Sequence, residues 1–316
     1  MRELRGGLTA LMLVALGLLA LAGYDIGLPG QDVLQTLRFH IAALLFGMIV
    51  VMFAFGAWRR GLLFTLALAV GFAQGAQIVY QQQEPRRALA ASSDATAPLL
   101  RMMSFNVLTS NTRNAAAIAA YIRQSGADLV LLLEATPMRD ELEGLADLYP
   151  HVAGCSGLHS CGTVLLSKTR LERETLRALS PLYEERLLVT ATTIAGQRIN
   201  IVGAHLSKPY FDTIADGEAN NLANAIARLE GPLVLAGDFN AAAWSDNIAR
   251  LLRRTELIPG PSYPGTWPVE LGPLALPIDN IFTRPPLLIQ QYRAIDDPLG
   301  SNHRGLIADI VLTGGS

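Results

Sequence analysis

The sequence predicts an α/β (α+β) domain that follows an N-terminal helical transmembrane region. Of the 316 residues, 51% are hydrophobic and only 16% are charged, which is too apolar for an ordinary soluble enzyme. The apolar excess lies before residue 80, whereas short apolar strands alternate with amphipathic helices after residue 99. We therefore expect a transmembrane region at 1–80, a flexible linker at 81–98 and the α/β domain at 99–316.

Three apolar runs predict transmembrane helices, at residues 8–24, 41–58 and 61–80. A spanning helix needs about 20 apolar residues, and the unbroken part of the first run, 8–22, is shorter. Because basic residues precede this run and Ala20-Leu21-Ala22 resembles a cleavage site, a signal peptide is the alternative for it. Only Arg59 and Arg60 separate the other two runs, so we expect a tight helical hairpin.

The positions of arginine residues predict the orientation of the chain in the membrane. Arg2 and Arg5 precede the first run, and Arg59 and Arg60 lie between the second and the third. Basic residues favour the cytoplasmic side, so three spans deliver the rest of the chain to the outer side. If the first run is a cleaved signal, the remaining hairpin leads to the same side.

The two cysteines of the chain predict a disulfide. Cys155 and Cys161 flank a short turn rich in Gly and Ser. A domain that faces an oxidising compartment favours pairing of such cysteines. The alternatives are two free thiols or a metal site that includes His159.

Polar side chains recur where the predicted strands end. The apolar strand at 233–236 runs through Gly237 into Asp238 and Asn240, which alternation places on one face of the chain. Taken alone, this stretch also fits an Asx-type turn. The same pattern recurs in four other strand ends and at the start of the last strand; these polar residues are Asn106, Glu134, His205, Asp279 and His303.

The order of these motifs resembles the endonuclease/exonuclease/phosphatase family. The motifs are F-N, L-x-E, a strand that ends in His, G-D-F-N, I-D-x-I-F and S-x-H, and the resemblance covers residues 100–314. It implies a four-layer α/β/β/α sandwich, in which two β-sheets pack face to face between helices. With its apolar runs and cysteine pair, the chain is similar to a bacterial membrane-anchored branch of the family. From this likeness, together with the orientation predicted from the arginines, we expect a multi-pass protein of the bacterial inner membrane, with the catalytic domain facing the periplasm.

The resemblance also implies metal-dependent hydrolysis of a phosphate ester. Glu134 corresponds to the carboxylate ligand of Mg²⁺ or Mn²⁺, hard cations that prefer oxygen ligands. Asn106 is expected beside that metal, where it orients Asp238. Asp238 is expected to position and activate the attacking water, and Asn240 to donate a hydrogen bond to the phosphate. No organic cofactor is implied.

Two histidines complete the implied site. His205 and His303 are expected to face the non-bridging oxygens, where negative charge develops in the transition state. Asp279 matches the acid that pairs with the final histidine, fixes its tautomer and raises its pKa.

One residue departs from the family pattern. Where the family has S-D-H, this chain has Ser301-Asn302-His303. Asn302 therefore stands at the position of an auxiliary metal ligand, and a neutral amide binds a hard dication less tightly than a carboxylate. We expect altered metal dependence or reduced activity rather than loss of activity.

The charge of the domain bears on its substrate. Residues 101–316 contain 18 Lys and Arg against 22 Asp and Glu, a balance of −4, and only Lys168 and Lys208 are lysines. A nuclease that grips duplex DNA normally has a basic face. We expect a membrane-anchored phosphodiesterase, acting on nucleic acid or a phospholipid headgroup. A lipid or sugar phosphomonoesterase and a non-catalytic membrane-bound binding protein are the alternatives.

Overall fold

The computed structural model describes residues 2–24, 26–93, 97–155, 161–210 and 213–314. The helices are α1 Arg2–Gly23, α2 Gln31–Thr36, α3 Arg38–Ala54, α4 Trp58–Ala91, α5 Ala115–Ser125, α6 Ile214–Ile226 and α7 Asp246–Thr255. The strands are β1 Leu100–Asn106, β2 Leu129–Leu133, β3 His151–Gly154, β4 Thr163–Ser167, β5 Leu171–Arg177, β6 Leu187–Ile194, β7 Gln197–His205, β8 Leu233–Asp238, β9 Ile258–Pro259, β10 Asp279–Arg284, β11 Leu287–Ala294 and β12 Leu306–Leu312.

The N-terminal helices α1, α3 and α4 pack around their own apolar core, which includes Met12, Leu45, Ile49 and Phe64. Two of them, α1 and α4, are long and apolar enough to be membrane spans, and a signal sequence would also fit α1. The third, α3, is apolar but shorter. Many of their other apolar side chains are exposed, Leu63 and Val70 for example.

The expected linker at 81–98 is wrong for its first eleven residues, because α4 continues through Ala91. Gln, Glu, Arg and Ala are favourable in helices, and the segment also has partners on the following domain. Gln83 Nε2 donates to the carbonyl of Gly260 at 2.9 Å. Leu89 and Ala90 pack against a small apolar cluster of β9, β11 and β12.

Residues 100–312 form two six-stranded mixed sheets. The strand order is β11-β12-β1-β2-β4-β3 in one sheet and β5-β6-β7-β8-β10-β9 in the other. An apolar core between the sheets includes Leu131, Ile201, Val234 and Ile310. A second core joins α5 to the outer face of the first sheet, and a third joins α6 and α7 to the outer face of the second. These layers confirm the expected four-layer α/β/β/α sandwich.

The topology gathers the polar strand ends at one edge. The pairs β1–β2 and β7–β8 are parallel, so their carboxyl ends lie side by side within each sheet. The strands β10 and β12 run antiparallel to β8 and β1 and therefore begin at that same edge. Asp279 opens β10 directly opposite Asp238.

Gly237 allows the close pairing of β7 and β8 just before this edge. Its φ is +152°, and a Cβ at this position would lie 1.8 Å from the carbonyl oxygen of Ala204. Only glycine adopts this conformation at no steric cost. The approach aligns His205 with Asp238 in the parallel register.

Candidate active site

Asn106 joins the two sheets at the centre of the site. Its Nδ2 donates to Glu134 Oε1 at 3.2 Å and to Asp238 Oδ2 at 3.0 Å. Glu134 follows β2 in the first sheet, whereas Asp238 ends β8 in the second. One buried amide therefore fixes two carboxylates of different sheets relative to each other, as expected for a residue that orients Asp238.

Asp238 lies at the meeting point of the remaining groups and is only 1% exposed. Its Oδ1 accepts a hydrogen bond from the backbone N–H of Asn240 at 2.9 Å. Its Oδ2 lies 3.6 Å from Nε2 of His205 and 3.8 Å from Nε2 of His303. The carboxylate is thus held by fixed donors and flanked by two imidazoles.

His303 is paired with Asp279, as the resemblance implies. The distance between His303 Nδ1 and Asp279 Oδ2 is 2.8 Å. Ser301 holds the loop in place, because its Oγ donates to the carbonyl of Asn106 at 2.7 Å and accepts from the N–H of His303 at 3.1 Å. The pair therefore leaves Nε2 of the imidazole directed towards Asp238.

Glu134 occupies a constrained turn at the end of β2. Its φ is +53°, a conformation that is uncommon for residues other than glycine. The N–H and Oγ1 of Thr109 donate to Glu134 Oε2 at 2.9 and 3.1 Å. Thr109, which the motif analysis missed, thus fixes the second carboxylate oxygen.

The pKa values of four groups respond to this environment. Burial opposes ionisation of Glu134, but hydrogen bonds from Thr109 and Asn106 outweigh it and lower the pKa of its carboxyl group. Burial, followed by the charge of Asp279, raises the pKa of Asp238.

Burial lowers the pKa of His205 to about 4, against the attraction of Asp238. Burial also disfavours the charged form of His303, but the carboxylates of Asp279 and Asp238 outweigh it and raise the pKa to about 9. These shifts favour the neutral form of His205 and the cationic form of His303 at neutral pH.

The expected metal ligands offer oxygen donors, which suit Mg²⁺ or Mn²⁺. Glu134 supplies a carboxylate, and Asn106 Oδ1 accepts one hydrogen bond, from Leu108 N at 3.1 Å, and keeps a second lone pair. Asn302 Oδ1 is buried and has no hydrogen-bond partner among the described residues. Such an orphaned acceptor fits a cation or a water, and the donor types, one carboxylate and two amide oxygens, are compatible with a divalent metal.

Asp238, Asp279 and His303 also bring ligand atoms within 4.8 Å of one another. Because His303 Nδ1 is already bonded to Asp279, this group is better explained as a histidine–carboxylate pair beside Asp238 than as a second metal site.

A cleft of about 460 Å³ opens onto the site. Glu134, His205 and Asn240 lie at its base, and Arg186 and Lys208 supply positive charge along its wall. The sequence signals for these two cations were weak, although Lys208 follows His205 by three positions and is one of two lysines in the domain. Asn240 Nδ2 donates to the carbonyl of Leu206 at 2.8 Å, which anchors the side chain expected to contact phosphate.

Glu218 of α6 is a second residue that the sequence analysis missed. It is fully buried, and its carboxylate accepts hydrogen bonds from Ser207 N at 2.6 Å, Ser207 Oγ at 3.0 Å and Ser180 Oγ at 2.6 Å. It thereby ties α6 to the loop that follows His205. The sequence signal was its place one turn before Leu222 on the buried face of an amphipathic helix.

Cys155 and Cys161 form the expected disulfide. It lies next to the start of β4, where Gly162 N and Thr163 Oγ1 donate to Glu185 Oε2 at 3.2 Å and to the Glu185 carbonyl at 2.7 Å. His159, the third member of the alternative metal site, lies outside the described residues.

Solved structures share this fold at low sequence identity. D. rerio TDP2 complexed with a single strand DNA product aligns with a TM-score of 0.55 and 19% identity, over 67% of this chain and 98% of that one. A beta toxin mutant from Staphylococcus aureus with bound magnesium ions aligns with a TM-score of 0.54 and 14% identity, over 66% of this chain and 99% of that one. Sphingomyelinase C from Streptomyces griseocarneus aligns with a TM-score of 0.51 and 17% identity, over 66% of this chain and 98% of that one.

No curated protein sequence matches the chain. The model of the Endonuclease/Exonuclease/phosphatase family matches residues 103–303, which is more than half of the chain and spans every polar strand end described above. The two-sheet sandwich and the sequence match agree. The chain belongs to the Endonuclease/Exonuclease/phosphatase family.

Proposed function

We propose that this chain is a membrane-anchored, divalent-metal-dependent phosphodiesterase. The family consists of metal-dependent phosphoesterases, and the proposal adds the anchor and the preference for a diester. The observation that carries it is the buried Asp238 carboxylate, which Asn106 and Asn240 hold and two histidines flank. Of its neighbours, His205 and Asn240 line the cleft.

Asp238 acts as the general base in this proposal. Its raised pKa brings the carboxylate closer to the range in which a base works efficiently at neutral pH. As the water oxygen bonds to phosphorus, Asp238 takes up the proton, and the ester P–O bond breaks with its electron pair on the leaving oxygen. The leaving oxygen takes a proton from solvent, and Asp238 later returns its proton to solvent. Cationic His303 and neutral His205 donate hydrogen bonds to the non-bridging oxygens, where charge increases.

Glu134, Asn106 and Asn302 would hold the metal ion, which when bound supplies positive charge to the phosphate oxygens. Because Asn302 is uncharged, only Glu134 among these three contributes a formal charge. We expect weaker metal affinity than in a site with two carboxylates, and therefore a requirement for more metal in the assay.

Hydrolysis of bis-p-nitrophenyl phosphate by the purified full chain tests the proposal. Turnover should require Mg²⁺ or Mn²⁺ and should fall at least about a thousandfold in Asp238→Asn, which keeps the shape of the side chain but removes the base. The exposed Asp140→Asn is the matched control and should stay within twofold. Turnover that persists with chelator, or an unaffected Asp238→Asn variant, would contradict the proposal.

A substrate panel separates the alternatives. Faster release of phosphate from lipid or sugar monoesters than hydrolysis of any diester would indicate a phosphomonoesterase. Metal binding without turnover of any ester would indicate a binding protein that keeps the fold.

The proposal includes a multi-pass arrangement with the domain on the outer side of the inner membrane. The Cys155–Cys161 disulfide supports this side, because such bonds persist in oxidising compartments. A C-terminal alkaline phosphatase fusion should be active, and a matched cytoplasmic reporter inactive. The reverse result would place the domain in the cytoplasm.

A further inference from the structure

The end of α1 and the start of α3 lie side by side, next to the same part of α4. A Cβ at Gly23, the last residue of α1, would lie 2.6 Å from Gln74 Oε1 of α4. A Cβ at Gly75 would lie 2.6 Å from Arg38 Cδ, at the start of α3. The end of α1, the start of α3 and residues 74–75 of α4 are therefore level with one another.

The C-terminal domain contacts the N-terminal helices at this end, through α2 and the start of α3. Trp244 Nε1 donates to the carbonyl of Gln35 at 3.0 Å, and Ala242 N donates to Thr36 Oγ1 at 3.0 Å. On another side, His40 Nε2 lies 2.8 Å from the carbonyl oxygen of Leu274. Together with the docked end of α4, these contacts hold the domain in one orientation, with the segment after Asn240 against the helices.

An apolar groove of about 320 Å³ lies at this junction, between the end of α1 and α2. Leu21, Leu28, Pro29, Val33 and Leu34 line it, with Tyr210 of the catalytic domain. Tyr210 also lines the catalytic cleft, beside Lys208 and Asn240. A smaller cavity, lined by Val33, Lys208, Tyr210 and Asn240, lies between the two. Groove and cleft therefore share a wall.

Exposed apolar side chains also lie in the cleft and beside the groove. Leu182 and Tyr183 line the cleft and are 60% and 46% exposed. On the adjoining connection, Tyr24 and Ile26 are 61% and 55% exposed. Exposed apolar side chains at such a level favour contact with a lipid surface. A nucleic acid would instead be met by a basic track, and only Arg186 and Lys208 among the residues lining the cleft are cations.

We propose that the substrate is a lipid phosphodiester whose hydrocarbon chain binds in the groove formed by α1, α2 and Tyr210. The proposal rests on the phosphodiesterase function above and adds a chain-binding site. The phosphate lies in the cleft near Lys208 and Arg186. Asp238 takes a proton from the water that adds to phosphorus, and the ester P–O bond breaks with its electron pair on the leaving oxygen. That oxygen takes a proton from solvent, so the products are an alcohol and a phosphomonoester.

The test uses a series of p-nitrophenyl alkyl phosphates, in which only the alkyl chain changes, from methyl to dodecyl. The full chain in nanodiscs is assayed with Mg²⁺, below the micelle concentration of each ester. We expect kcat/KM to rise at least tenfold from methyl to dodecyl. Leu28→Trp, which fills the groove, should reduce this gain to less than threefold. Leu11→Trp, at a leucine that is 62% exposed outside the groove, is the matched control for partition into the bilayer and should keep the gain.

A second measurement does not depend on turnover. In chelator, dodecylphosphonate should bind the parent at least tenfold more tightly than methylphosphonate, and Leu28→Trp should remove that preference while Leu11→Trp keeps it. Equal turnover across the ester series, or a chain preference that persists in Leu28→Trp, would refute chain binding in the groove. Neither result would contradict the proposed phosphodiesterase function. Faster cleavage of single-stranded DNA than of the dodecyl ester also overturns the lipid substrate. No turnover of any diester overturns the proposed function itself, and this inference with it.

Discussion

Glu218 offers the sharpest test of how the fold supports the site. Replacing it with alanine removes the acceptor of three hydrogen bonds, from Ser207 N, Ser207 Oγ and Ser180 Oγ. Hydrogen bonds to a charged group contribute about 1.5–3 kcal/mol each, and the two hydroxyl groups can turn to other partners. We therefore expect Glu218→Ala to reduce the free energy of unfolding of the domain by about 3–5 kcal/mol.

The isosteric Glu218→Gln is expected to cost at most about 1 kcal/mol, because an amide oxygen still accepts from Ser207 N and burial of a charge is avoided. Denaturant unfolding followed by near-UV circular dichroism measures both values. Glu230→Ala, at an exposed glutamate, is the control and should stay within about 0.5 kcal/mol.

The same variants should separate in activity. Ser207 lies between Leu206 and Lys208 in the wall of the cleft, so a released loop lowers kcat/KM in Glu218→Ala, whereas Glu218→Gln keeps it. If Glu218→Ala unfolds within about 0.5 kcal/mol of the parent and retains full activity, the carboxylate does not hold this loop.

Three further predictions concern stability. Gly237→Ala should reduce the free energy of unfolding by more than about 3 kcal/mol, since its Cβ would lie 1.8 Å from a neighbouring carbonyl oxygen. Gly217→Ala is the control, because open space surrounds that position. Equal thermal midpoints of the two variants would refute the clash. Burial and a neighbouring carboxylate raise the pKa of Asp32 from 3.8 to about 6. Between these two pH values the folded form binds more protons than the unfolded form, so the free energy of unfolding falls as the pH rises from 3.8 to about 6. Asp32→Asn should thus be more stable than the parent at pH 7.5, by at most about 3 kcal/mol, and equal to it below pH 4; no gain at pH 7.5 would contradict the shift. Reduction of the Cys155–Cys161 disulfide, with its sequence separation of 6, should cost about 2 kcal/mol, seen as a lower thermal midpoint; an unchanged midpoint would refute it.

The site was readable from the sequence because its residues carry local signals. Each of Asn106, Glu134, His205 and Asp238 interrupts an apolar run at a strand end, and parallel pairing then brings these ends together. The distances between these residues depend on the order and direction of the strands in the sheets, which the pattern of a single strand does not reveal. The family resemblance supplied the order of the motifs and hence the two-sheet arrangement.

Other elements gave no such signal. The strand β5 is half exposed and rich in charge, and β11 contains a register shift between Ile289 and Gln291, so neither has the simple alternation of a strand. The polar end of α4 looks like a linker, yet its helix is stabilised by contacts with β9, β11 and β12 that lie far away in sequence. Glu218 was hidden because its partners are a backbone N–H and two hydroxyl groups rather than charges.

The bridge made by Asn106 has a consequence for how the protein loses activity. Its amide touches Glu134 on one sheet and Asp238 on the other at 3.2 and 3.0 Å, and a displacement of one sheet over the other by about 1 Å exceeds hydrogen-bond range. Such slippage leaves every strand ladder intact, because those bonds run within each sheet. Mild denaturant should therefore abolish the proposed phosphodiesterase activity while the far-ultraviolet circular dichroism is still native. Loss of activity would then report a displacement of one sheet relative to the other.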